Sequence, residues 1–105
     1  MRNSELPDAN ILKTVLEPLL EDFEYWFERS RHFLEKERLS FMHEQEQSDL
    51  LMRIQQAQEE LNTVKMLFKA TQGQVGIDMA TLTPWHQLVT EYWNVARRFY
   101  SEQGT

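Results

Sequence analysis

The stretch Asp49-Leu50-Leu51-Met52-Arg53-Ile54-Gln55-Gln56-Ala57-Gln58-Glu59-Glu60-Leu61-Asn62-Thr63-Val64-Lys65-Met66-Leu67-Phe68 decides the fold. Its apolar residues Leu50, Ile54, Ala57, Leu61, Val64 and Phe68 recur at alternating steps of four and three. That heptad spacing belongs to a helix packed nearly antiparallel against its neighbours, as in a coiled coil. It predicts a helix from about Glu44 to Thr71, with Gly73 as the left-handed stop. Upstream, Leu12, Leu16, Leu19, Phe23, Trp26, Phe27, Phe33 and Leu34 share one face at 100° per residue, and Glu17, Glu21, Glu24, Glu28 and Glu35 line the other. This gives a helix over about 8–37, capped by Asp8 or Asn10, with Arg29, Arg31, Lys36 and Arg38 near its negative C-terminal end. Pro18 inside it removes a backbone hydrogen bond and predicts a kink rather than a break. Downstream, Thr83-Pro84 is a start signal: a capping hydroxyl, then proline where its missing amide does no harm. The third helix then covers about 84–101, with Trp85, Leu88, Val89, Tyr92, Trp93, Ala96 and Phe99 on a wide apolar face.

The fold class is therefore all-α: an antiparallel three-helix bundle with two long helices and a shorter third, helix 1 kinked near Pro18. Residues 1–7 read as a disordered lead, 8–101 as the single domain and 102–105 as a frayed tail. At 105 residues, 41% of them hydrophobic, one domain with a real core is expected. The net charge of −6, from 11 Lys plus Arg against 17 Asp plus Glu, disfavours nucleic acid and anionic membranes as partners. No window reaches the roughly 18 apolar residues of a membrane span, so no membrane insertion is expected. Without cysteine there is neither a disulfide framework nor thiol catalysis, and a cytoplasmic protein is the default.

Chemistry is hard to find. No Glu-x-x-His pair occurs, and Glu28 and His32 are expected in solvent, so no metal and no cofactor is expected. His32, His43 and His86 stand singly, with no nucleophile beside them, and no catalytic residue is nominated. Aromatic residues at helical spacing usually fill cores. Tyr25 is the exception, projecting near the acidic side, and Trp93 and Tyr100 sit at the margin of the third helix's arc. A pigment or small-molecule cavity among Trp26, Trp85, Tyr92 and Trp93 is the alternative reading.

A length mismatch gives the sharpest expectation. Helices of 28 to 30 residues span roughly 42–45 Å and one of 18 residues roughly 27 Å. The third helix should run out near Trp26 or Phe27, leaving Phe33, Leu34, Leu39, Phe41 and Met42 at an uncovered tip that would bind a protein partner or a second copy. The competing reading is a tip sealed by its own loop, or a third helix slid along by the linker over 72–82. A second surface would comprise Met66 and Leu67 with the linker residues Val75, Ile77 and Met79.

Several stretches resemble a small family of cyanobacterial proteins of unknown function. They are Ile11-Leu12-Lys13-Thr14-Val15-Leu16-Glu17-Pro18-Leu19-Leu20-Glu21-Asp22-Phe23, Tyr25-Trp26-Phe27-Glu28-Arg29-Ser30-Arg31, Met66-Leu67-Phe68-Lys69-Ala70-Thr71, Gly73-Gln74-Val75-Gly76 and Pro84-Trp85-His86-Gln87-Leu88-Val89-Thr90. The resemblance implies a cyanobacterial cytoplasm, or the stromal face of photosynthetic membranes, and an accessory role in photosynthesis. It transfers no functional residue. The expectation is a non-enzymatic interaction module.

Overall fold

The computed structural model describes residues 9–74 and 77–104, with side chains from Lys13 onward. The expected lead over 1–7, the caps Asp8 and Asn10, and Val75 lie outside these described residues or side chains. Three helices follow one another: α1 (Ala9–Lys36), α2 (Glu44–Ala70) and α3 (Met79–Gln103), of 28, 27 and 25 residues. Their directions can be read from the cross-contacts. Glu24 meets Lys65, Glu28 meets Gln58 and the Leu34 carbonyl meets Gln47, so numbers fall along α2 as they rise along α1. Trp85 packs on Phe23 and Phe27, Tyr92 on Trp26, and Phe99 on Phe33, so α3 runs parallel to α1. The bundle is all-helical, and its core is made of the apolar stripes that the sequence displays, including Leu16, Phe23, Phe27, Leu50, Ile54, Leu61 and Trp85.

The α1–α2 turn is held by a side chain that the apolar pattern does not reveal. A helix ends with four carbonyls that have no intrahelical partner. At the end of α1, the Glu37 amide closes on the Phe33 carbonyl at 2.9 Å. Gln47, buried in the first turn of α2, reaches back to serve Leu34 and the residues just beyond the helix. Its Nε2 donates to the carbonyls of Leu34 (3.0 Å) and Glu37 (2.6 Å), and its Oε1 accepts from the Leu39 amide (3.1 Å). The Arg38 guanidinium adds a bond to the same Oε1 and donates to the carbonyls of Leu39 and Met42. Leu39 is thereby locked into the core with no solvent exposure. On the far side of the turn, the His43 amide donates to the Glu46 carboxylate at 2.9 Å, the reach-back half of a capping box.

At its other end α2 stops in a Schellman motif. The Gly73 amide bonds the Phe68 carbonyl at 2.7 Å and the Gln72 amide bonds that of Lys69 at 3.1 Å. The left-handed stop expected at Gly73 is shared: Gln72 has φ 57° and Gly73 φ 80°. Gly73 is also a point of close approach, since a Cβ there would meet the Lys13 side chain at 3.0 Å.

Helix α3 differs from the sequence reading. It begins at Met79, more than a turn ahead of Pro84, because Asp78 is the better cap: its carboxylate accepts from the Ala80 amide at 3.1 Å. The earlier start carries Ile77 and Leu82 onto the core, and that apolar burial offsets the hydrogen bond Pro84 removes. The Pro84 ring faces solvent, as does that of Pro18, through which α1 passes without interruption.

Replacing Gln47 by Ala leaves buried carbonyls and a buried amide without partners, and should cost about 2–3 kcal/mol in urea denaturation. Gln47→Glu, which cannot donate to the two carbonyls when ionised, should cost at least as much at neutral pH.

Candidate functional site

The expected apolar tip is closed. Register brings α3 over the α1–α2 turn, as in the competing reading of a third helix slid along by its linker. Trp85 already lies beside Phe23 and Phe27, so Tyr92, Phe99 and Tyr100 continue past them to Phe33. Phe33 is buried, its ring edge-on to Tyr92 at 5.7 Å and to Phe99 at 5.2 Å. Leu34 and Leu39 are buried as well. Phe41 and Met42 are half-buried against the core, and the Arg98 guanidinium sits 4.4 Å from the Phe41 ring centre as a cation–π lid. The third helix is the shortest, but at 25 residues against 28 and 27 the mismatch is small, and these five side chains seal the end of the bundle instead of forming an open surface.

The second expected surface is dispersed. Met66 and Leu67 are exposed on α2, and Met79 is exposed at the start of α3. Ile77 packs against the core, and Val75 lies outside the described residues.

Exposed aromatic area lies elsewhere, along the side where α1 and α3 run together. On α3, Met79, His86, Trp93 and Tyr100 stand seven residues apart and all four are exposed. On α1, Trp26 is half-buried and joins the two helices: its ring meets Trp93 at 5.3 Å, 86° between planes, and Tyr92 at 6.4 Å. Tyr25 extends the array outward, edge-on to Trp26 at 5.0 Å. Further along, Tyr100 touches Phe33 and Phe99 at 6.2 and 5.3 Å. Tyr25, Trp93 and Tyr100 are 55%, 41% and 54% exposed, so three large rings face solvent yet are held by the rings behind them.

One family match, a protein of unknown function (DUF2605), covers residues 6–101, which take in α1, α2, this face and all but the last two residues of α3. The chain belongs to the DUF2605 family. No curated protein and no solved structure matches the chain significantly.

Within this family member, the alternative cavity among Trp26, Trp85, Tyr92 and Trp93 is filled. Trp26 meets Tyr92 and Trp93 ring to ring, whereas Trp85 packs separately on Phe23 and Phe27 at 5.5 and 6.2 Å. Trp85 is 1% exposed, and its indole N–H donates to Glu60 at 3.2 Å, which satisfies its one polar group. Among the described residues no group of three or more His, Asp or Glu is placed to hold a metal.

Electrostatics divide the molecule. The glutamates of α1 point toward α2, where Lys65 pairs with Glu24 and Gln58 donates to Glu28. The hydrogen bond from Arg31, aided by that from Gln58, holds the Glu28 carboxyl below its ordinary value. On the α3 side, Arg29 donates to the Tyr25 hydroxyl at 3.4 Å and lies beside the Tyr92 phenol. Burial pushes the Tyr92 phenol up, against the opposing pull of Arg29. The aromatic face was partly legible from Tyr25, Trp93 and Tyr100, which break the core pattern. Of the stripe that links them, only Met79 was hidden by placing the helix start at Pro84, since His86 already lay within the expected helix.

Phe33→Ala should lower stability by about 3–4 kcal/mol, as expected for a buried phenylalanine, whereas Trp93→Ala should cost about 1 kcal/mol. Urea titrations of the two variants check the assignment of one as core and the other as surface. The raised Tyr92 pKa stabilises the fold fully below the unfolded value of about 10, and that contribution is lost as pH rises through the folded value. Arg29→Ala should raise the Tyr92 pKa further, a shift readable as tyrosinate absorbance in an alkaline titration.

Proposed function

We propose that this protein is a non-enzymatic interaction module whose working surface is the aromatic face formed by α1 and α3. The observation that supports it is the array Tyr25–Trp26–Trp93 with Tyr100: large rings in solvent, oriented by edge-to-face contacts with the half-buried Trp26 and Phe99 behind them. Tryptophan and tyrosine dominate the energetics of protein interfaces, because they offer wide contact area at small entropic cost. Rings already fixed by their neighbours lose still less freedom on binding. An accessory or regulatory role follows naturally for a chain that presents a rigid surface and no reactive group.

With this reading goes the setting that the family resemblance implies: a cyanobacterial host, with the protein in the cytoplasm or near the stromal face of photosynthetic membranes. No helix among the described residues is long and apolar enough to cross a membrane, so contact with such a membrane would be made through a partner or at its surface.

The test is capture of bound proteins from native cells with the wild type and a Tyr25→Ser/Trp93→Ser variant side by side. Proteins retained by the wild type should be lost by the variant, while its melting temperature falls by only a few degrees. Retention of the same set by both would sink this surface as the working one.

A further inference from the structure

We propose that the α1–α3 face docks an acidic amphipathic segment of a partner protein, a conclusion that rests on the interaction reading above and specifies its partner. Charge carries the argument. The chain as a whole has 17 carboxylate side chains against 11 Lys and Arg. The side facing solvent between α1 and α3 reverses that balance. On α1, Val15, Asp22, Arg29 and Lys36 follow one another at seven-residue steps and are all exposed. This row lies directly beside the row of Leu19, Trp26 and Phe33, whose last two members pack against α3. On α3, the exposed Thr83, Thr90 and Arg97 flank the stripe of Met79, His86, Trp93 and Tyr100. Between the α1 row and the α3 stripe the face thus carries three cations, Arg29, Lys36 and Arg97, against the single carboxylate of Asp22. The surface turns acidic at Glu21 and Glu28 only on the α2 side of Tyr25 and Arg29.

These cations are not spent on internal ion pairs. The guanidinium of Arg29 donates to the Tyr25 hydroxyl beside the Tyr92 phenol, and that of Arg97 donates to the Asn94 side-chain oxygen. Among the described residues the ion pairs fall elsewhere, at Arg31, Arg53, Lys65 and Arg98. Each guanidinium of the face therefore keeps donors free for a carboxylate supplied from outside. Uncharged residues fill the ground between them. His86, Gln87, Thr90, Trp93, Asn94 and Tyr100 form a stretch of helix surface with no carboxylate at all.

Such a face fits a partner that brings apolar side chains to the rings and carboxylates to the rim. Apolar contact with Trp93 and Tyr25 supplies affinity, while the complementary rim sets orientation and association rate. A second copy fits poorly, because pairing the face with itself sets Arg29 and Arg97 against cations. Nucleic acid fits poorly too, since three cations are few beside a net charge of −6.

The test places a photoactivatable benzophenone amino acid at Tyr25 or Trp93 of the full chain in its native cells. A control position is Met52, exposed on α2 away from this face. The cross-linked peptides are sequenced by mass spectrometry, and the labelling is repeated with Arg29→Glu/Arg97→Glu in the same chain. The proposal expects adducts at 25 and 93, but not at 52, to one segment rich in Asp and Glu. Their yield should fall at least tenfold in the charge-reversed variant, with its helical circular dichroism and melting curve retained. Adducts to a neutral or basic segment, or a yield indifferent to charge reversal, overturn the acidic partner and leave the interaction reading standing. Adducts to a second copy of the chain replace the partner with self-association. Labelling at 25 and 93 no stronger than at 52 refutes the partner and the working surface together.

Discussion

One neutral side-chain amide holds the turn on which the bundle is built. Gln47 places both a donor and an acceptor into a site where the backbone of α1 has just ended, and it satisfies Leu34, Glu37 and Leu39 together. A buried polar group is tolerable only when its partners are present, and here each compensates the other. The geometry fixes the angle at which α2 leaves the turn. It also sets Leu39 in the core, which draws Phe41 and Met42 down against it. With that end closed, Phe33 and Phe41 are surfaces for α3 to cover, by Phe99 and Arg98 respectively.

The apolar periodicity made most of this architecture legible. The steps of four and three in α2 and the broad stripe in α1 state directly which sides meet, because burial follows side-chain direction. The position of α3 along the other two was harder to read. A proline signal at Thr83-Pro84 competed with an aspartate cap at Asp78, and local rules alone do not rank them. The outcome turned on Ile77 and Leu82, whose contacts are long-range and have no local signature. The register of α3 then decided the fate of the tip, since with Trp85 set beside Phe23 and Phe27 the rings of Phe99 and Tyr100 reach Phe33.

Gln47 was illegible for a related reason. A glutamine between charged and polar neighbours reads as solvated surface, and only the converging backbone of the preceding turn gives it work. The surface aromatics were halfway legible. Tyr25 interrupts an acidic side, and Trp93 and Tyr100 stand at the edge of an arc too wide to bury, but which of them share a face depends on the register of α3 against α1. Sequence identifies such side chains as surplus to the core; the packed helices bring them together.

The closed turn also has a meaning for how the chain reaches this state. Helices α1 and α2 are joined by only seven residues, and their latch uses groups within 13 positions of one another. A hairpin of this kind closes a short loop and gains its contacts early, at little chain entropy. Helix α3 joins it through distant partners such as Phe23 with Trp85 and Arg53 with Glu91. The natural order of assembly is therefore hairpin first and α3 afterwards. In a chain emerging from the ribosome, the stripe of α1 that carries Trp26 and Phe33 must wait in water until the last helix has been made.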